Sequence, residues 1–269
     1  MARFSANLGF LWQELSLPDA IRAAKAAGFD AVECHWPYET APEQTRRALE
    51  ETGLPMLGLN TSRGNSQAGD NGLCAVPERR QEAAQAIDQA IDYAARTGTS
   101  NVHVMAGRAI GEEARATFIA NLRYGSTRAA DLGIGILIEP LNDRDAPGYF
   151  LQTTDQALDI ISAVGATNVR LMFDCYHVQI MQGNLTRRLQ EAMAAIGHIQ
   201  IAAVPDRREP DHGEVDYSHI IGHLDALGYD RPIGAEYRPA TSTEAGLGWL
   251  KSYRETQRMR NTENNDMTE

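Results

Sequence analysis

Hydrophobic residues along this chain follow two alternating patterns. Eight short apolar runs are separated by longer segments in which apolar residues recur at helical spacing. The runs predict strands at residues 3–10, 31–36, 55–61, 101–107, 133–140, 169–176, 198–204 and 232–238. A helix is expected after each strand, including the eighth. Regular alternation predicts a parallel sheet, and eight units predict a closed (β/α)8 TIM barrel.

An open, doubly wound α/β sheet is the alternative architecture. It is disfavoured because neither a Gly-x-Gly-x-x-Gly segment nor a Walker loop follows any predicted strand. No linker rich in Pro, Gly or Ser divides the chain. We therefore expect one barrel domain over residues 1–255, followed by a polar tail over residues 256–269.

Helix boundaries are marked most clearly for the first two helices. Ser16 and Thr40 are each followed three residues later by an acid, with proline in the first turn. This pattern predicts hydroxyl N-caps at both positions. Gly28 and Gly53 are expected to end the same helices in the left-handed conformation.

Alternation within the strands predicts which side chains enter the barrel. In the fifth strand Ile136 and Ile138 share one face, whereas Glu139 lies on the other. The seventh and eighth strands alternate aliphatic residues with Gln200 and Glu236 in the same way. Because the aliphatic faces should meet the helices, Glu139, Gln200 and Glu236 are predicted to converge at the C-terminal mouth.

Four oxygen-bearing side chains lie near the ends of four consecutive strands. They are Glu139, Asp174, Gln200 and Glu236, separated by 26 to 36 residues. Three converging carboxylates would repel one another unless a cation neutralised them, and Mg²⁺ or Mn²⁺ suits oxygen ligands. Gln200 offers an amide oxygen where a zinc site would more often have histidine. The alternative for each residue alone is a helix cap or an ion pair with arginine.

Glu139 and Glu236 suit proton transfer next to a carbonyl that is held by a metal ion. One carboxylate would take the proton and the other would return it, as in aldose–ketose isomerisation or epimerisation. His177 follows Asp174 by three residues and can reach the same mouth. Arg207 lies in the polar loop after the seventh strand, where it would pair with a substrate carboxylate or phosphate or remain a solvated charge.

Composition narrows the classes of partner. The net charge of -11, from 25 basic and 36 acidic residues, disfavours nucleic-acid binding. No apolar run reaches the roughly 18 residues of a membrane span. Three cysteines without a Cys-x-x-Cys pair suit a reducing compartment, so a cytoplasmic enzyme with a small-molecule substrate is expected. The oligomeric state is open, with a homo-oligomer as one option.

Several segments together resemble the hydroxypyruvate isomerase family, within the xylose isomerase-like TIM-barrel superfamily. They include Leu137–Asn142, Asp174–His177, Gly197–Ala202 and Glu236–Pro239, and the similarity extends from Arg3 to Tyr253. The resemblance implies acid/base roles for Glu139 and Glu236, with Asp174 and Gln200 completing the metal ligands. It also implies substrate contacts at His177 and Arg207.

The implied reaction is isomerisation of a small hydroxy-oxo acid, hydroxypyruvate to tartronate semialdehyde, through an enediolate. The alternatives are 2-oxo-tetronate isomerisation and C3 epimerisation of a free ketose. One segment departs from the family pattern: residues 64–72 have Ser66 and Asn71 where relatives usually have tryptophan and arginine. Loss of an aromatic ring and a cation from this loop makes a bulkier sugar acid or a ketose more plausible.

Overall fold

The computed structural model describes residues 2–255, and within them eight parallel strands form one sheet. The strands are β1 (Phe4–Asn7), β2 (Ala31–Glu33), β3 (Leu59–Asn60), β4 (Asn101–His103), β5 (Gly135–Ile138), β6 (Val169–Asp174), β7 (Ile196–Ile201) and β8 (Ile233–Ala235). Their order around the sheet is β2-β1-β8-β7-β6-β5-β4-β3. The predicted tail at residues 256–269 lies outside the described residues.

Helices separate the strands along the chain. They are α1 (Leu17–Ala27), α2 (Pro42–Thr52), α3 (Arg80–Thr97), α4 (Gly111–Ala130), α5 (Thr154–Val164), α6 (Cys175–Met181), α7 (Leu185–Ala192), α8 (Tyr217–Ala226) and α9 (Thr243–Gly246). Residues 248–255 are also helical. Across residues 2–255, we find no helix with both the length and the apolar character that a bilayer crossing requires.

The barrel is closed by hydrogen bonds between β2 and the segment that precedes β3. The Val32 N–H donates to Pro55 O at 3.0 Å, and the Leu57 N–H donates to Val32 O at 2.8 Å. A parallel bridge between Val32 and Met56 completes the circle. The predicted (β/α)8 TIM barrel is therefore confirmed.

The predicted strand parity holds in the structure. Ile136 on β5 faces α4, where a side chain at Gly125 would contact both Ile136 and Ile87 of α3. On the opposite face, Leu137 and Gln200 line a narrow space inside the barrel. Aliphatic residues therefore form the core between sheet and helices, whereas polar side chains occupy the barrel interior.

Several local predictions need correction, because most strands are shorter than predicted; β4, for example, covers only Asn101–His103 of the predicted 101–107. The sixth strand was predicted to run through residue 176, but Asp174 both ends β6 and caps α6, accepting a hydrogen bond from the Tyr176 N–H at 2.9 Å. Helix α2 begins after Ala41, so Thr40 is not its N-cap. Ser16 does cap α1, and Gly28 and Gly53 end α1 and α2 in the left-handed conformation as predicted.

Candidate active site

A cavity of about 320 Å³ opens at the C-terminal end of the barrel. Its wall contains four of the six predicted site residues, namely Glu139, His177, Arg207 and Glu236. Gln200 and Glu236 also line the narrower space directly beneath it. The predicted residues therefore gather around one mouth, because each follows or ends a neighbouring strand of the closed barrel.

Asp174 joins this group although it is fully buried. Its Oδ2 lies 3.6 Å from His177 Nε2 and 3.6 Å from Arg207 Nη2. Oxygen atoms of Glu139 and Asp174 and a ring nitrogen of His177 all lie within 4.8 Å of one another. The two carboxylates are therefore close enough to share a metal ion, and one turn of α6 brings His177 over Asp174.

The Glu236 carboxylate is held by three side chains from other elements. Its Oε2 accepts from Arg207 Nη2 at 2.8 Å, and its Oε1 accepts from Asn7 Nδ2 at 3.0 Å. His35 Nε2 lies 2.9 Å from the same Oε1. By contrast, Glu139 Oε1 has no hydrogen-bond partner among the described residues.

These surroundings shift the two glutamate pKa values in opposite directions. Burial, with the charges of Glu236 and Asp174, raises the pKa of Glu139 well above its usual range. Burial also acts to raise the pKa of Glu236, but Arg207 and His35 more than offset it and hold that pKa low. Asp174 has a raised pKa because of its burial and the Glu236 charge. A bound cation would favour the ionised forms of all three groups.

His177 is held as a neutral imidazole with a defined orientation. Its Nδ1 accepts a hydrogen bond from the Asn142 backbone N–H at 3.0 Å, so the ring proton lies on Nε2. Burial and the nearby Arg207 charge lower the pKa of His177 well below its usual value. Its Nε2 lies 3.6 Å from Asp174 Oδ2 and 3.9 Å from Glu139 Oε1, so the Nε2–H faces both carboxylates and is free to donate to a substrate oxygen.

Arg207 is not the solvated loop charge that the sequence left open. Its guanidinium lies 4.9 Å from the ring centres of both Phe10 and Tyr176. Besides Glu236, it contacts Asp145 at 3.5 Å. The residue adopts φ 55, a left-handed conformation that is uncommon outside glycine. The loop after β7 thus adopts a strained backbone conformation at Arg207, which directs this cation into the mouth.

Several residues of this cluster were missed from the sequence, most notably Glu33 of β2. Glu33 accepts from Gln200 Nε2 at 2.8 Å and from Asn7 Nδ2 at 3.0 Å. His198 Nε2 lies 2.5 Å from the same carboxylate. Strand parity applied to polar residues of β1, β2 and β7 would have found Asn7, Glu33 and His198. His35 lies beyond β2, but it shares its parity with Glu33 in the predicted strand at 31–36, so the same signal would have found it.

The loop after β3 also reaches the mouth, through a residue that the sequence did not single out. Arg63 lines the cavity, and its guanidinium lies 4.6 Å from the Trp36 ring centre. Its Nε donates to Asn71 Oδ1 at 3.1 Å. Asn71, one of the two atypical positions of the loop, therefore holds an arginine instead of supplying one.

The donor set fits a hard divalent cation. Three buried oxygens, namely Glu139 Oε1, Asp174 Oδ2 and Gln200 Oε1, have no hydrogen-bond partner within residues 2–255. Buried polar atoms are nearly always satisfied, so three unpaired oxygens in one site call for a ligand. Oxygen donors with two carboxylates favour a hard ion over a soft one.

Comparisons with known proteins agree with this geometry. A family model described as xylose isomerase-like TIM barrel matches residues 21–253. The chain is 45% identical to 2-oxo-tetronate isomerase of Cupriavidus necator, covering 94% of this chain and 99% of the relative. It is 36% identical to hydroxypyruvate isomerase of Escherichia coli K12, covering 94% and 100%. The crystal structure of a family 2 AP endonuclease from Brucella melitensis matches with TM-score 0.91 and 38% identity, covering 94% of this chain and 99% of that one.

Proposed function

The chain belongs to the xylose isomerase-like TIM barrel family, and from that premise we propose that it is a metal-assisted isomerase of small hydroxy-oxo acids. The reaction would convert a 3-hydroxy-2-oxo acid into its 2-hydroxy-3-oxo isomer. Hydroxypyruvate, giving tartronate semialdehyde, and 2-oxo-tetronate both have this arrangement. The single observation that carries the proposal is the pair of buried glutamates, Glu139 and Glu236, on one cavity wall that also contains arginines.

We propose Glu139, Asp174, Gln200 and Glu236 as the residues that hold the metal ion, Mg²⁺ or Mn²⁺. The unpaired oxygens of the first three support this assignment. Glu236 would be the fourth metal ligand while keeping its contacts with Arg207 and His35. A divalent cation bound there supplies a Lewis acid that polarises the substrate carbonyl.

Glu139 and Glu236 would carry the proton between the two carbons. One carboxylate removes the proton from C3, and the other delivers a proton to C2, while the hydroxyl proton moves between the two oxygens. His177 can donate from Nε2 to one of these oxygens as charge develops on it. Buried surroundings strengthen each of these interactions, because the local dielectric constant is low.

Recognition of an acid rather than a neutral sugar rests on the arginines. Arg63, Arg207 and Arg238 all line the cavity. Arg207 is shared between Glu236 and Asp145, whereas Arg63 has no carboxylate partner among the described residues. A substrate carboxylate can therefore bind Arg207 from the cavity side and a second arginine across the mouth.

Three further aspects of the proposal concern the compartment, nucleic acids and the oligomeric state. The three cysteines are free and buried, which supports action in a reducing compartment such as the cytoplasm. An endonuclease activity is less well supported, because the clustered carboxylates and the net charge of -11 would repel a phosphate backbone. A homo-oligomer remains compatible with this proposal.

The test is turnover in heavy water. Metal-free protein would be reconstituted with Mg²⁺ or Mn²⁺ and given hydroxypyruvate, 2-oxo-tetronate and a panel of uncharged ketoses. We expect isomerised acid with deuterium at C2, and no reaction after chelation. Exchange with ketoses alone would instead favour the C3 epimerase alternative, and cleavage of an abasic duplex would favour a nuclease. No exchange with any substrate would overturn the proposal.

A further inference from the structure

The Glu33 side chain ends β2 inside the barrel, and only 3% of its surface is exposed. It lies among three nitrogen donors that come from two other strands. These are Asn7 Nδ2 of β1 at 3.0 Å, and Gln200 Nε2 and His198 Nε2 of β7 at 2.8 Å and 2.5 Å. A buried carboxylate with three donors is a well-satisfied acceptor, and no step of the proposed reaction uses it.

The bond from Gln200 decides which end of its amide is available to the site. An amide presents an oxygen at one end and an NH₂ group at the other, and the two ends are nearly equal in size. Because Glu33 accepts from the NH₂ group, the carbonyl Oε1 is turned away from Glu33. That oxygen is buried and has no hydrogen-bond partner within residues 2–255.

A glycine leaves room for this arrangement. A side chain at Gly234 of β8 would lie 2.7 Å from Glu33 Oε1, 2.8 Å from Gln200 Cγ and 2.8 Å from His198 Nε2. Gly234 is paired with Gln200 in the sheet register. Any larger residue would therefore push the three side chains apart, so the meeting of Glu33 and Gln200 depends on this position.

We infer that Glu33 is a positioning residue that fixes the Gln200 amide so that its oxygen, and not its NH₂ group, is offered to the metal ion. The inference rests on the proposed function. An NH₂ group cannot coordinate a cation and would repel it, so without Glu33 part of the population would present the wrong end. Mutation of residues that orient metal ligands through hydrogen bonds typically weakens metal affinity by roughly 10- to 100-fold.

Metal affinity, measured by calorimetry with Mn²⁺, tests this inference without relying on turnover. The variants are Glu33→Ala, the shorter but still charged Glu33→Asp, Gln200→Ala and the two double variants. Each Glu33 change alone should weaken Mn²⁺ binding about tenfold or more. In the Gln200→Ala background the same changes should have almost no further effect, since the group through which Glu33 acts is gone.

The cycle separates positioning from a general structural role. Additive losses in the double variants, with folding verified by circular dichroism, would overturn the inference while leaving the proposed function intact. Unchanged affinity in Glu33→Asp and Glu33→Ala would do the same. Absence of Mn²⁺ binding by the unmodified protein would overturn both. Glu113→Ala, at an exposed position in the first turn of α4, is the control and should bind as the unmodified protein does.

Discussion

Glu139 and Glu236 are chemically identical side chains in different surroundings. Glu236 is bound by Arg207, His35 and Asn7, whereas one oxygen of Glu139 has no partner among the described residues. The pKa of Glu139 is raised, chiefly by burial, and that of Glu236 is lowered because Arg207 and His35 outweigh its burial. Groups whose pKa values are driven apart in one site are natural partners in proton transfer.

Replacing either glutamate by glutamine should remove most activity without unfolding the protein. General acid–base groups typically contribute about 10²- to 10⁴-fold, so Glu139→Gln and Glu236→Gln should each lose at least roughly 100-fold in turnover. Rates must be compared at saturating metal, because both changes also remove a carboxylate from the proposed metal site. Glu113→Gln is the surface control. A variant that keeps the unmodified rate of deuterium exchange at C2 would remove its residue from proton transfer.

Gln200 sets the character of the proposed metal site at a single position. Gln200→His would replace an amide oxygen by an imidazole nitrogen, a softer ligand that suits Zn²⁺ and Co²⁺ better. We expect competition binding to move in favour of these ions relative to Mg²⁺ and Mn²⁺. An unchanged order of preference would mean that Gln200 does not contact the metal.

At the scale of elements, the loops place arginines at the barrel mouth, whereas the strand ends place carboxylates there. Arg63 reaches the cavity from the loop after β3 and rests on Trp36, which is 37% exposed. Arg207 reaches it from the loop after β7 and is almost buried between two aromatic rings. The first is held mainly by stacking and is open to a ligand, whereas the second is already shared between carboxylates.

Arg63→Ala should therefore affect acids more than neutral sugars. A charge-assisted bond contributes about 1.5–3 kcal/mol, which corresponds to roughly ten- to hundredfold in affinity. We expect the Michaelis constant to rise by that factor for hydroxypyruvate or 2-oxo-tetronate, and little for an uncharged ketose. Asn71→Ala, which removes only the Asn71 contact with Arg63, should cause a smaller change of the same kind. Equal effects on both substrate classes would assign Arg63 to shaping the loop.

Arg207→Ala should change the pH profile as well as the Michaelis constant. The guanidinium stabilises ionised Glu236 and so lowers the pKa of that carboxyl. Removing it should raise this pKa, so that the acid limb of the pH–rate profile moves to higher pH. Arg207→Lys keeps a positive charge and should move the limb less. An unmoved acid limb in Arg207→Ala would show that Glu236 does not govern it.

Local signals predicted elements well where the cause was itself local. Gly28 and Gly53 end their helices as expected, because a left-handed residue is needed there whatever the rest of the fold does. Thr40 failed as a cap because Ala41 takes the N-cap position, one residue later than the pattern indicated. The network of Glu33 was missed for a different reason: two of its three donors, His198 and Gln200, lie more than 160 residues away in sequence.

At the scale of the whole molecule, the eightfold alternation was enough to predict the barrel. A closed parallel sheet forces each strand end to the same mouth, so Glu139 and Glu236 meet there although they lie far apart in sequence. Alternation of side chains along the seventh strand then predicted that Gln200 also enters the barrel interior. The ion pairs made by Arg207 could not be predicted, because they depend on a left-handed residue within an irregular loop.

Metal affinity should depend on pH, and the metal-induced stabilisation of the whole molecule should depend on pH with it. Burial and neighbouring charge raise the pKa values of Glu139 and Asp174 above their ordinary values of 4.5 and 3.8, so a cation at the proposed site would compete with protons for these two carboxylates. His103, which ends β4, has its Nδ1 3.6 Å from Glu139 Oε2. The pKa values of His103 and His177 are lowered, chiefly by burial, so both rings are neutral near pH 7 and release no proton. Metal binding should therefore release protons and strengthen as pH rises through the raised carboxyl pKa values.

Thermal unfolding with and without Mn²⁺ measures this coupling. A ligand that binds only the folded state raises the midpoint more the tighter it binds, with the logarithm of its concentration over its Kd, so the Mn²⁺-induced rise in Tm should be larger at about pH 7.5 than at about pH 5.5. Calorimetry in buffers of different ionisation enthalpy should detect the released protons directly. Asp174→Asn, which cannot hold the competing proton, should weaken binding and reduce the pH dependence. A rise in Tm that is the same at both pH values would mean that the cation does not displace protons from Glu139 and Asp174.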